Sequence, residues 1–218
     1  MPITFFDFDK TLMKGYSGFY TTLRLIQKKI VKKRRIAAAI FYKIISPLYK
    51  GDIARMYQMA IDDMAGRTLA EILAIGRDCF EKDVRPRLYP EGVALIRRLK
   101  KEGHKIFLVT SGPSMTMEIV AESLGVDGHA SAGPIIKAGI LQNILKRPLP
   151  YREGKVAAAE EILRREGVGW ESTSYYADNI DDLFLLEKVA HPVLVNPDRR
   201  LRKIGESRAW PTLTWRLG

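Results

Sequence analysis

The sequence has only one cysteine, Cys79, among its 218 residues. A single thiol can form neither an internal disulfide nor a cysteine-based zinc site, so a disulfide scaffold is excluded and a reducing compartment is expected. The first residues also lack a basic stretch followed by an apolar one, because Asp7 follows almost at once. We therefore predict that the chain has no secretory signal and is cytoplasmic.

Acidic residues are absent from residue 10 to residue 51, although eleven basic residues fall in the same stretch. The whole chain has 36 lysines and arginines against 25 aspartates and glutamates, a net charge of +11, so the remainder is neutral. A positive charge confined to one segment predicts a local anionic partner or surface rather than a generally basic protein. The eleven residues are Lys10, Lys14, Arg24, Lys28, Lys29, Lys32, Lys33, Arg34, Arg35, Lys43 and Lys50.

Apolar segments of strand length alternate with helical patterns along most of the chain. Strands are predicted at residues 3–8, 104–110, 174–178 and 191–196, and helices at residues 91–101, 114–124, 154–165 and 181–189. Repeated strand–helix units predict a parallel sheet covered by helices on both faces. The predicted fold class is therefore α/β, with a three-layer Rossmann-like parallel sheet as its core.

The stretch from residue 16 to about residue 65 shows helical spacing instead of this alternation. The pattern breaks at residues 46–47 and 50–51 and continues as helices over residues 52–64 and 69–82. Because this block lies between the first two strands, we predict an inserted all-helical cap at residues 14–87. The catalytic core then comprises residues 1–13 and 88–218.

Polar side chains mark the ends of the predicted strands, where an open parallel sheet binds its ligands. They are Asp7, Asp9, Thr110, Ser111 and Asp178, and Lys155 at a helix start can reach the same edge. Carboxylates without a cluster of histidines or thiols favour Mg²⁺. Hydroxyl, backbone amide and ammonium donors are the groups that bind a phosphate. An ionised aspartate can attack phosphorus, and a second carboxyl can protonate the leaving group.

Four segments carry a family resemblance: residues 6–12, 108–113, 154–156 and 176–183. In order and separation they resemble the four motifs of the haloacid dehalogenase superfamily of phosphohydrolases. The similarity is greatest to its phosphoserine-phosphatase-like branch, subfamily IB, whose cap is a helical insertion between the first two motifs. It extends over nearly the whole core but only weakly over the insertion.

The resemblance implies a role for each matching residue. Asp7 would be the nucleophile and Asp9 the acid and base. Mg²⁺ would be held by the Asp7 side chain, the Asp9 carbonyl and Asp178, with Asn179 and Asp182 supporting the metal site. The phosphate-binding residues would be Thr110, Ser111 and Lys155. A simpler interpretation stays open for Asn179 and Asp182, since an amide or a carboxylate at a helix start can be there to cap the helix without any part in the metal site.

The substrate is less well defined than the reaction. We predict a Mg²⁺-dependent phosphomonoesterase that forms an aspartyl-phosphate on a small phosphate ester. Phosphoserine phosphatases carry a glutamate that binds the substrate's amino group. In this sequence Tyr16 stands at that position, which argues against phosphoserine as the substrate. One alternative is a phosphatase of lipid phosphates at a membrane surface, of the phosphatidylglycerophosphate or lysophosphatidate type. Another is a non-catalytic basic adaptor.

The basic segment at residues 24–50 has two interpretations. It can be a solvated helix face, or it can contact the anionic inner face of a membrane peripherally. Its longest apolar run, residues 36–42, is far short of the roughly 20 residues that span a bilayer. Nucleic-acid binding is disfavoured because no recognition motif accompanies the charge.

Overall fold

The computed structural model describes residues 1–32 and 53–217, and its centre is a parallel β-sheet. The strands of this sheet are β1 (Ile3–Phe6), β2 (Lys105–Pro113), β3 (Gly128–Ala132), β6 (Thr173–Ala177), β7 (His191–Val195) and β8 (Thr212–Leu213). They lie in the order β3-β2-β1-β6-β7-β8, and every neighbouring pair is parallel. A separate antiparallel hairpin joins β4 (Pro134–Lys137) to β5 (Ile140–Leu145).

Helices connect these strands. They are α1 (Ser17–Gln27), α2 (Ile53–Met64), α3 (Leu69–Cys79), α4 (Pro90–Lys101), α5 (Ser114–Leu124), α6 (Glu153–Glu166), α7 (Leu183–Leu186) and α8 (Arg199–Ser207). A π-helical turn follows α3 at Phe80–Val84, and 3₁₀ turns lie at Arg85–Arg87, Trp170–Ser172 and Ile180–Asp182. Helices α5 and α6 end at Gly125 and Gly167, whose left-handed conformations a residue without Cβ adopts at no steric cost.

Alternation along the strands produces the two faces of the core. Phe6 and Leu108 point to the face that packs against α4 and α5. Phe5 and Phe107 point to the other face, which α6, α7 and α8 cover. Because successive side chains of a strand lie on opposite sides, continuous apolar strands bury both faces. The predicted three-layer α/β fold with a parallel sheet is thus confirmed.

Several predicted boundaries were wrong. The first strand ends at Phe6 rather than at residue 8, because the chain turns there and the amides of Leu12 and Met13 both bond to the Phe8 carbonyl. The helix predicted over residues 181–189 is only a 3₁₀ turn followed by the four-residue α7. The elements β3, β4, β5, β8 and α8 were not predicted.

Helices α1, α2 and α3 occupy the part of the chain predicted as the cap. The β4–β5 hairpin, which belongs to the predicted core segment, packs with them in one apolar cluster that includes Leu25, Ile61, Ile72 and Leu141. The division into core and cap stays a prediction. The predicted breaks at residues 46–47 and 50–51, and much of the basic segment at residues 24–50, lie outside the described residues.

Candidate active site

Asp7 directly follows the central strand β1 and is buried at the carboxyl edge of the sheet. Its amide still donates to the Tyr176 carbonyl at 2.9 Å, which continues the pairing of β1 with β6 and fixes the backbone. Its Oδ1 accepts a 2.7 Å hydrogen bond from the Lys155 ammonium, and its Oδ2 accepts one of 3.3 Å from the Thr11 hydroxyl. Both carboxylate oxygens are therefore oriented by donors on different parts of the chain.

Lys155, in the first turn of α6, joins the predicted catalytic edge to a second buried acid. Its ammonium donates to Asp7, to Asp182 and, at 3.0 Å, to the hydroxyl of Tyr175. The Tyr175 hydroxyl in turn donates to Asp182 Oδ1 at 2.6 Å. All four side chains are buried, so these bonds fix the ammonium without competition from water.

A carboxylate cluster of Asp7, Asp178 and Asp182 lies at this edge, with one oxygen from each residue within 4.8 Å of the others. Thr11 donates to Asp178 Oδ1 at 3.2 Å and so spans two members of the cluster. Lys155 is the buried ammonium beside these three carboxylates, and the partly buried Lys10 acts on Asp178 as well, so the carboxylates still outnumber the ammonium groups. Hard oxygen donors with such an excess are the ligand set that suits Mg²⁺, so the residues present fit this ion. The cluster includes Asp182, for which only a supporting role was predicted.

Burial and mutual repulsion shift the ionisation of these groups. Burial, followed by the charges of Asp7 and Asp182, raises the pKa of Asp178 to about 8. Burial also raises the pKa of Asp182, to about 6, and the Lys155 ammonium limits the rise. Burial by itself would lower the pKa of Lys155, but the two adjacent carboxylates outweigh it and raise that pKa above its ordinary value. Lys155 is therefore charged in the folded protein.

Asp9 points away from the carboxylate cluster and toward the start of α1. Its Oδ1 accepts a 2.7 Å hydrogen bond from the Ser17 amide. Burial raises the pKa of Asp9 to about 7, against the lowering effect of this bond, and the nearby Asp7 charge adds to the rise. Asp9 lies two residues after Asp7, beyond the end of β1 at Phe6 and at the start of the turn that the Leu12 and Met13 amides close on the Phe8 carbonyl.

The end of β2, where its register with β3 shifts between Val109 and Pro113, lies against the start of α1. The Thr110 hydroxyl is buried and accepts a 3.1 Å hydrogen bond from the Gly112 amide. A Cβ on Gly112 would lie 2.9 Å from the Ser17 hydroxyl oxygen, so glycine is required for this close approach to α1. The Ser111 carbonyl accepts a hydrogen bond from the hydroxyl of Tyr57 on α2. The structure thus ties Ser111 to a helix of the predicted cap.

Residue 154, just before Lys155, must be glycine for a steric reason. A Cβ on Gly154 would lie 2.0 Å from the Leu149 carbonyl oxygen, a distance that no side chain tolerates. The loop therefore folds back on itself at the start of α6, and the next residue points into the site. Position, rather than charge alone, makes Lys155 a buried contact of Asp7.

Asn179 and Asp198 hold the loop that carries Asp178. The Asn179 side chain accepts from the Asp181 amide at 3.0 Å, so in the structure it caps the following turn. Asp198 caps α8 through the amides of Arg200 and Leu201, and its other oxygen accepts from the Ile180 amide. Its own amide donates to the Asp178 carbonyl at 2.8 Å.

No role was predicted for Thr11, Tyr57, Tyr175 or Asp198. Thr11 lies in the first motif, at residues 6–12, and its position four residues after Asp7 was an available signal. Asp198 precedes a run of arginines, where a helix cap could have been predicted. No sequence pattern could have predicted the roles of Tyr57 and Tyr175, because Tyr57 contacts Ser111 and Tyr175 contacts Lys155, and both partners are distant in the sequence.

Comparison with known proteins agrees with this arrangement. The family model described as haloacid dehalogenase-like hydrolase matches residues 4–187. Probable phosphatase Rv3661 of Mycobacterium tuberculosis strain H37Rv is 29% identical over 216 residues, which cover 97% of this chain and 74% of that protein. Phosphoserine phosphatase SerB1 of the same strain is 24% identical over 217 residues, which cover 98% of this chain and 70% of that protein.

A solved structure supports the fold. The crystal structure of a protein with unknown function from Bordetella pertussis Tohama I matches with a TM-score of 0.85 at 23% identity, and 97% of each chain is covered. At this level of identity the likeness concerns the fold alone.

Proposed function

This chain belongs to the haloacid dehalogenase-like hydrolase family and is a phosphoric monoester hydrolase, and we propose that it works through an aspartyl-phosphate on Asp7 with Mg²⁺. The observation that carries the proposal is the environment of Asp7. This carboxylate is buried, it is held by Lys155 and Thr11, and it lies in a cluster with Asp178 and Asp182. An ionised carboxylate held in this way is a nucleophile that needs no separate base.

The first half of the proposed reaction forms a covalent intermediate. An Asp7 carboxylate oxygen forms a bond to phosphorus while the bond from phosphorus to the ester oxygen breaks. Asp9 gives its proton to the departing alkoxide, which leaves as an alcohol. Lys155, the Thr110 hydroxyl and the Ser111 amide bind the phosphoryl oxygens and stabilise their charge in the transition state.

The second half regenerates the enzyme. Asp9, now ionised, accepts a proton from a water molecule whose oxygen attacks phosphorus. The bond between phosphorus and Asp7 then breaks, which releases inorganic phosphate and restores the Asp7 carboxylate. The position of Asp9 beside Asp7, but turned toward the Ser17 amide, supports a separate role for each acid.

Mg²⁺ would be held by Asp7, Asp178 and the Asp9 carbonyl, with Asp182 in the same carboxylate cluster. When bound, it supplies positive charge that reduces the repulsion between the anionic nucleophile and the anionic substrate. The buried excess of carboxylates supports a divalent ion at this edge.

We propose that helices α1 to α3 form a cap that closes over this edge and excludes water. The hydrogen bond from Tyr57 on α2 to the Ser111 carbonyl supports this role. Tyr16 replaces the glutamate that phosphoserine recognition would need, so the substrate is a phosphate ester other than phosphoserine. A small soluble ester and a lipid phosphate are the two remaining classes. The complete set of buried acids with Lys155 argues against a non-catalytic adaptor.

The test is phosphate release from a panel of phosphomonoesters with Mg²⁺ and with a chelator. We expect turnover by the wild type with Mg²⁺ only, and loss of turnover by about a thousandfold or more in Asp7→Asn, because the amide is no nucleophile. Asp62→Asn makes the same change on the exposed surface of α2 and should keep wild-type activity. Equal activity of wild type and Asp7→Asn would contradict the proposal.

A further inference from the structure

Helix α1 packs inward through both polar and apolar side chains. Its buried residues are Ser17, Thr21 and Leu25, and Tyr20 and Ile26 pack, partly buried, against the apolar clusters of the fold. The Thr21 hydroxyl lies 2.7 Å from the hydroxyl of Thr116 on α5, and Arg24 bonds to Asp83 at 2.7 Å. These contacts fix which side of α1 faces the rest of the fold.

The outer side of α1 and the residue just before it expose large side chains. Tyr16 is 42% exposed, Phe19 57% and Leu23 37%. Phe19 and Leu23 lie four residues apart on one face of the helix, and Tyr16 is the extended residue that precedes its first turn. We name these three residues the outer ridge. Single exposed apolar residues are ordinary on a protein surface, whereas neighbouring ones beside a basic cluster form a candidate contact surface.

A basic cluster follows the outer ridge directly. It consists of Lys28, Lys29 and Lys32, all of which are exposed. The sequence has no acidic residue from position 10 to position 51, so no acid within this stretch offsets the charge. Acids from other parts of the chain approach it at two points, because the charge of Lys28 helps to lower the pKa of Asp78 and the Lys32 amide donates to Asp63 at 3.4 Å. Arg24 is paired more closely, through Asp78 and Asp83.

The outer ridge begins next to the candidate active site. The amide of Ser17, one residue after Tyr16, holds the Asp9 carboxylate at 2.7 Å. The Lys10 ammonium lies 5.0 Å from the centre of the Tyr16 ring, and Lys10 also feels the charge of Asp178. A surface that contacts the outer ridge would therefore lie close to the groups that process the phosphate ester.

We propose that the outer ridge and the basic cluster dock α1 on an anionic lipid surface. Apolar side chains that enter the acyl boundary and lysines that meet anionic headgroups are the two components of peripheral membrane binding. Leu23 adds aliphatic surface, which favours lipid over nucleic acid because nucleic acid is bound through aromatic stacking and charge. In the described part of the chain no helix combines the length and the apolar character needed to cross a bilayer.

The docking also defines a substrate class, and this second step depends on the proposed phosphatase function. A lipid surface at α1 would present phosphate groups near Asp9 and Lys10. The substrate is then a phosphate monoester carried by a lipid rather than a freely diffusing metabolite. Docking itself does not depend on catalysis, so the two can fail separately.

Docking is tested by co-sedimentation of the full chain with vesicles of phosphatidylcholine alone and with vesicles that contain phosphatidylglycerol. We expect binding only to the anionic vesicles, and weaker binding at high salt. The double variant Phe19→Gln and Leu23→Gln should bind about tenfold more weakly, as should the triple variant Lys28→Gln, Lys29→Gln and Lys32→Gln. Glutamine keeps the helix propensity of α1.

Matched controls lie elsewhere on the surface. Ile136 and Ile144 of the hairpin are 43% and 50% exposed, and their replacement by threonine should leave vesicle binding unchanged. Arg199, Arg200 and Lys203 of α8 are exposed basic residues, and their replacement by glutamine should likewise have no effect. Near-equal melting temperatures would show that all variants remain folded.

Three results would overturn docking: no binding to anionic vesicles at low salt, equal loss in the control variants, or loss in the lysine variant without loss in the ridge variant. The last would mean charge attraction without insertion. Hydrolysis of a soluble ester by the same preparations separates the proposals. A chain that hydrolyses the ester but ignores vesicles keeps the phosphatase function and loses docking. A chain that binds vesicles but hydrolyses neither soluble nor lipid esters keeps docking and loses the function.

Discussion

The carboxyl edge of the sheet and the outer side of α1 lie next to each other, but the lysine at the edge is buried and paired with acids, whereas the lysines beside α1 are exposed. At the edge, Lys155 is buried and bonded to Asp7, Asp182 and Tyr175. The lysines that follow the last residue of α1 are exposed, and the sequence around them, from residue 10 to residue 51, contains no acid. A buried charge must be paired because desolvation is costly, and this pairing fixes its position to within a hydrogen bond. An exposed charge needs no partner within the chain and remains available to a partner outside it.

The largest effect that separates these regions is expected from Lys155→Met. This change removes the ammonium from Asp7 and Asp182 and should lower kcat by about a hundredfold to a thousandfold, the range measured when a charge-stabilising donor is lost. Steady-state kinetics on a soluble ester measures the loss. The exposed Lys188→Met on the other side of the fold should leave kcat unchanged. Comparable losses in both variants would mean that burial does not decide the role of a lysine here.

A smaller effect is expected from Tyr175→Phe. The hydroxyl is fully buried between Lys155 and Asp182, and hydrogen bonds to charged groups contribute about 1.5–3 kcal/mol. We therefore propose that Tyr175 is a positioning residue whose loss lowers kcat by about tenfold or more with little change in KM. A role in stability alone would lower the melting temperature without this division between kcat and KM.

Tyr176→Phe is the matched control for this change. Tyr176 is the next residue of β6, but its ring stacks on Phe6 on the opposite face of the sheet, 4.6 Å between centroids. Removal of its hydroxyl should leave kcat, KM and melting temperature near the wild-type values. An equal loss of kcat in both variants would show that the effect does not arise from the contacts of Lys155 and Asp182.

The smallest effects concern the two faces of α1. Thr21→Val leaves the buried Thr116 hydroxyl without its 2.7 Å partner and should lower the free energy of unfolding by about 1–3 kcal/mol. Phe19→Gln on the outer ridge should change it by no more than about 0.5 kcal/mol. Denaturant unfolding of both variants measures the difference. If Phe19→Gln is the more destabilising, then Phe19 supports the fold and the outer ridge is no free surface.

Much of the candidate active site could be predicted from patterns of neighbouring residues in the sequence. Asp7, Thr110, Lys155 and Asp178 lie at predicted strand ends or helix starts, and the parallel sheet brings them to one edge. Short sequence segments were enough to predict these positions, because an apolar run with a polar residue at its end is a property of neighbouring residues. The strand boundary at Phe6 was missed since the turn after it depends on backbone bonds within residues 8–13, which apolar periodicity does not report.

Contacts between distant segments were beyond such patterns. Tyr57 reaches Ser111 from a helix more than fifty residues earlier, and Tyr175 meets Lys155 across the layer between β6 and α6. The helical spacing that starts at residue 16 was recognised, but spacing alone does not say which face of α1 is buried. In the structure Ser17, Thr21 and Leu25 are buried, whereas Phe19 and Leu23 are exposed.

The sequence by itself determined the class of fold, the set of acids and the location of the excess positive charge, because each of these depends on residue types and short-range spacing. Only the tertiary structure decided which groups surround Lys155, that Asp182 lies with Asp7 and Asp178, and that Phe19 and Leu23 of α1 face outward. The physical reason is that desolvation and hydrogen bonding act between atoms in space, and the packing of α1, α6 and β6 sets those distances.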